Sequence, residues 1–101
     1  VRQLDAIPEG DGTLLDHTIV MWCNEVSKGN THSHANMMFL LLGGSKAGLQ
    51  TGRWLRFGDR PHSDLLVSIA HAMGHTGLAR FGHDDYFTGP LTETGLHAPA
   101  I

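Results

Sequence analysis

Residues 16–44 read DHTIVMWCNEVSKGNTHSHANMMFLLLGG, and their reading decides the fold. Two apolar runs, TIVMWC at 18–23 and MMFLLL at 37–42, flank a polar stretch at 24–36. Neither run alternates apolar with polar residues. Short unalternated runs rich in β-branched or bulky side chains predict strands buried on both faces, as in the middle of an α/β sheet. Gly43-Gly44 ends the second run, and six residues before a double glycine favour a strand over a helix. The two runs are therefore expected side by side, with Cys23 as a buried thiol.

Working outward, Val1, Leu4 and Ile7 lie three apart and predict the last turns of a helix over residues 1–7. That helix shows no start signal, and the sequence begins with Val1, so an upstream part of the protein is expected. Pro8-Glu9-Gly10-Asp11-Gly12 breaks the helix. Residues 45–52 are a turn-rich connection, and Arg53-Trp54-Leu55-Arg56-Phe57 predicts a short edge strand. The best helix signal covers 63–73. Ser63 is a plausible N-cap, Asp64 suits the positive end of the dipole, and Gly74 suits the C′ stop. Leu65, Leu66, Ile69, Ala72 and Met73 form an apolar stripe at helical spacing. Residues 75–91 predict an ordered loop and 92–101 a loose tail. The fold class expected is α/β, with one domain over 1–91.

Composition narrows the function classes. The chain has 101 residues, 41% hydrophobic and 17% charged, a globular balance. A formal net charge of -3 with scattered Lys and Arg argues against a nucleic-acid surface. No apolar stretch is long enough for a membrane span. One cysteine excludes an internal disulfide. Eight histidines raise the prospect of metal or proton chemistry.

In open α/β sheets ligands bind beyond the carboxyl ends of strands. The first run ends at Cys23, so Asn24 and Glu25 fall at that place, and the following loop supplies His32 and His34 before the chain returns. One carboxylate and two imidazoles converging there would suit zinc or manganese. A polar surface loop with solvated histidines is the competing reading. His62, just before the helix, is a further candidate, either as a ligand or as part of the helix start. No phosphate loop and no G-x-S-x-G nucleophile elbow occurs, and Asp84-Asp85-Tyr86 reads as a turn.

Five collinear stretches carry a family resemblance: IPEGDGTLLDHTIVMWCNE, GNTHSHANMMFLLLGG, TGRWLRF, PHSDLLVSIAHAMG and FGHDDYFTGPL. Together they span residues 7–91 and resemble the end of a bacterial exported family of unknown function characterised by an HXXSHH motif. That motif is absent here; Thr31-His32-Ser33-His34 only echoes it. The family is similar to the alkaline phosphatase and sulfatase superfamily, in which a strand like TIVMWC ends in an S-D-H-G motif whose acid and histidine bind metal. In register, Glu25 matches the acid, Val26 stands in place of the histidine and Ser27 in place of the glycine. The resemblance implies the C-terminal portion of an incomplete alkaline-phosphatase-like sheet, with residues 64–74 as the helix packed behind it. It also implies an exported or periplasmic location, a missing N-terminal part of the same domain as partner, and a divalent metal bound with Glu25 and a loop histidine. The activity implied is hydrolysis of phosphate or sulfate esters; the alternative is a non-catalytic metal-binding or structural protein that kept the fold. The superfamily's nucleophile lies upstream, so this chain by itself is expected to be inactive.

Overall fold

The computed structural model describes residues 1–91. The chain is mixed α/β: short helices and two small antiparallel sheets. Helix α1 (Arg2–Asp5) leads into the tight hairpin of β1 (Pro8–Glu9) and β2 (Gly12–Thr13). Strands β3 (Ile19–Cys23) and β4 (Phe39–Gly43) then pair antiparallel, from Ile19↔Gly43 to Cys23↔Phe39. A 3-10 turn at Ser45–Ala47, helix α2 (His62–Ala72) and a 3-10 turn at Asp84–Tyr86 complete the order. The loose tail expected at 92–101 lies outside the described residues.

The two apolar runs are indeed neighbours, but the expectation that both faces are buried fails. Residues directly opposite in an antiparallel ladder share a face. Ile19, Phe39 and Leu41 point to one side and pack against the core of Leu49, Leu65 and Leu91. The pairs Val20↔Leu42 and Trp22↔Leu40 point to the other side. There Trp22 is 68% exposed and Leu40 43%. Cys23, expected to be buried, is exposed. Trp22 and Leu40 are bare because the core touches one face of the ribbon only, and no third strand pairs with it among the described residues. Cys23 shares the core-side face with Phe39 but is the last residue of β3, at the end of the ribbon.

Other boundaries shift for local reasons. α1 is a single turn, and Val1 and Ile7 are exposed, so the expected helix stripe over 1–7 has nothing to pack on. Residues 53–57 form no strand. The Arg53 guanidinium donates back to the Gln50 carbonyl at 3.1 Å, which holds a bend, and Trp54 is 84% exposed. Helix α2 starts one residue early. Pro61, extended at φ -61° and ψ 142°, is its N-cap in place of Ser63, and its carbonyl accepts from Asp64 N–H. Ser63 is buried in the first turn. The stop is as expected: Gly74 N–H donates to His71 O and His75 N–H to Ala70 O, with Gly74 at φ +95°, the paired bonds of a Schellman motif.

The inward face of α2 differs from the apolar stripe. Leu65 and Val67 are buried, but so are Asp64 and Ser68, while Leu66 is half-buried and Met73 exposed. The helix packs through a partly polar face because residues 88–91 lie along it and supply hydrogen bonds (below). Leu65→Ala is expected to cost about 2–5 kcal/mol in chemical denaturation, and Leu66→Ala clearly less. An equal loss at the two positions would contradict this packing.

Candidate functional site

The loop 24–38 leaves the carboxyl end of β3 and returns to β4, so Asn24, Glu25, His32 and His34 all belong to one connection. An inner turn organises it. Ser27 N–H and Oγ both donate to the Ser33 carbonyl, at 2.7 and 2.9 Å, and Ser33 N–H donates to Lys28 O. The Ser33 hydroxyl accepts from Ala35 N–H at 3.2 Å. His32 and Asn36 take positive φ, 52° and 56°, a conformation that costs a non-glycine residue roughly 1–2 kcal/mol. The turn between Lys28 and Ser33 demands that reversal at His32.

Glu25, His32 and His34 are exposed. Among the described residues, no three His, Cys, Asp or Glu side chains stand together as a group able to hold a metal ion. The donor types suit zinc or manganese, but the arrangement of this chain alone is no ready coordination site. Asn24 instead borders a shallow cavity of about 270 Å³ with Trp22, Cys23, Val26, Met37 and Met38, a largely apolar lining. His62 is the first residue of α2, and its ring lies 5.9 Å from that of Phe39 at 55°, a tilted ring contact that ties the helix start to β4.

A polar cluster that the sequence did not reveal forms around Asp64. Asp64 is fully buried. Its Oδ1 accepts from Thr88 N–H at 2.9 Å and Gly89 N–H at 3.2 Å; its Oδ2 accepts from Arg60 Nε at 2.8 Å and from the Thr88 hydroxyl. Burial pushes this carboxyl up, but the bonds from the Thr88 hydroxyl and N–H, Arg60 and Gly89 N–H outweigh it and hold the group below its ordinary value. Arg60 Nη2 also donates to Gly89 O at 2.8 Å. One turn on, the Ser68 hydroxyl donates to Asp64 O and accepts from Leu91 N–H. In sequence, Asp64 was marked only as an acid suited to the start of the helix.

A second polar bracket closes the far end of the ribbon. Asp16 accepts from Thr13 N–H and the Ser45 hydroxyl, and Lys46 donates to Asp11 at 2.7 Å. The Ser45 bond lowers the Asp16 carboxyl, and Lys46 lowers that of Asp11. These contacts splice residues 11–16 to the turn after β4 and leave no functional group over. Among the described residues, no helix is long and apolar enough to cross a membrane. No family model, no curated protein and no solved structure matches the chain.

Proposed function

We propose that this chain is the C-terminal part of an exported alkaline-phosphatase-like α/β protein. In that reading its ribbon is completed by other layers of the same domain. Its loop 24–38 brings Glu25, His32 and His34 to the margin of a divalent-metal site for phosphate or sulfate ester hydrolysis. The observation that carries the reading is the incompletely covered apolar face, on which Trp22 and Leu40 are exposed and Val20 and Leu42 half-buried. A strand whose sequence is apolar on both sides, with one side only partly covered, is suited to burial against further protein. The family resemblance and the position of Glu25 just beyond β3 add support. A bound metal would supply Lewis acidity and a hydroxide; the chain's own part would be to hold it through Glu25 and a loop histidine, other ligands coming from outside residues 1–101.

A second reading, a non-catalytic metal-binding or structural lobe, is favoured by Val26 and Ser27 standing where the superfamily has histidine and glycine. Zinc or manganese titration of the full-length polypeptide separates the two halves of the question. Under the first reading Glu25→Ala and His32→Ala each weaken metal binding by roughly tenfold or more, and ester hydrolysis falls with them. Equal metal affinity in the wild type and both variants would move the site elsewhere. Metal loss without any hydrolysis to lose would select the second reading.

A further inference from the structure

Residues 73–86 run exposed from the end of α2, and the chain then returns to the helix at 88–91. Among the described residues the return is anchored at three places. Thr88 and Gly89 donate to the Asp64 carboxylate, the Gly89 carbonyl accepts from Arg60, and Leu91 N–H donates to the Ser68 hydroxyl at 2.6 Å. Leu91, only 3% exposed, closes the core over Leu49 and Leu65. Leu65 belongs to the helix and Leu49 to the segment after β4.

We propose that residues 88–91 are a detachable strap, latched to α2 by the ionised Asp64 carboxylate and released when that carboxylate is neutralised. A carboxylate accepting several N–H and O–H bonds holds its donors far better than the neutral acid, which keeps fewer acceptor sites and adds a donor of its own. Protonation thus turns the contact with Thr88 and Arg60 from attraction into a mismatch. Arg60 is the charged group placed against Asp64 among the described residues, and residues 87–91 carry none. In the segment 80–86, Arg80 pairs with Asp84 and His83 lies near Asp85. The His62 ring is against Phe39. Because the closed form holds the carboxyl below its ordinary value, the strap is latched at neutral pH and opens as pH falls through that lowered value. Opening lifts Leu91 and bares an apolar groove floored by Leu49 and Leu65.

Amide hydrogen exchange on the chain tests this. In Asp64→Asn at pH 7, the amides of Thr88, Gly89 and Leu91 should lose protection by roughly tenfold or more, the scale of a lost charge-assisted bond. The amides of Val67 and Ile69 within α2 should stay protected, losing no more than the fall in overall stability. In the wild type, protection at 88–91 should fall on acidification before that of α2, whether or not the variant folds. Loss of protection by the same factor in both segments, or none at 88–91 down to the acid transition, would overturn the proposal.

Discussion

Gly43→Ala should cost about 3 kcal/mol or more in urea denaturation. Gly43 ends β4 at φ +76°, a conformation that costs an L residue roughly 1–2 kcal/mol. Space adds a second penalty. A methyl group there would meet the Thr18 carbonyl and stand 2.6 Å from the Leu15 carbonyl and 2.8 Å from Leu15 Cδ1. Two of these three neighbours are backbone, held in turn by Thr18 N–H to Leu15 O and Gly44 N–H to Leu15 O. Overpacking against such a wall costs about 1–3 kcal/mol more. Gly52→Ala is the control: its φ is also positive, +74°, but nothing lies within 4 Å. The control should show the conformational cost alone, and equal losses at both positions would mean that the close approach at Gly43 relaxes.

Asp64→Ala should be the other large loss, about 3 kcal/mol. Removing one member of a buried ion pair costs roughly 3–5 kcal/mol, and the Arg60 side chain, still 27% exposed, places this case at the lower end. The pH dependence carries the signature. The carboxyl is held lower in the folded chain than in the unfolded one, so its stabilisation is complete above the ordinary carboxylate value of about 3.9 and disappears as pH falls through the folded value. Wild type and variant should therefore differ at pH 7 and converge in strong acid. The variant's acid slope should be shallower though not flat, because Asp11 and Asp16 are also lowered. A constant difference across pH 2–7 (about the range where carboxylates titrate) would show that the loss is one of packing.

The strand pair and the helix were legible because short-range signals fix them: apolar runs of strand length, a double glycine, and a cap and stop around 62–74. What covers a strand was not legible. TIVMWC announces that both its faces tolerate burial, yet the number of layers depends on elements elsewhere, and here α2 and the loops serve one face only. The Asp64 cluster was missed for a related reason. Its Arg60 partner lies four residues away, but Thr88 lies 24 away, across a segment whose return no local pattern encodes. As for the metal site, chain order placed Glu25, His32 and His34 in one loop. It could not give the directions of their side chains, which depend on reversals such as that at His32.

The bare side of the ribbon has a practical consequence for handling the molecule. Trp22 and Leu40 sit on a two-stranded ribbon with no third strand at either edge among the described residues. Exposed apolar strands with open edges are templates for cross-chain strand addition. Solubility and assembly are therefore opposed in the same few side chains. A charge placed at Trp22 or Leu40 to keep the protein in solution would also remove the surface that the proposed function assigns to a further layer of the domain, so under that proposal a well-behaved variant and an assembly-competent one are different molecules.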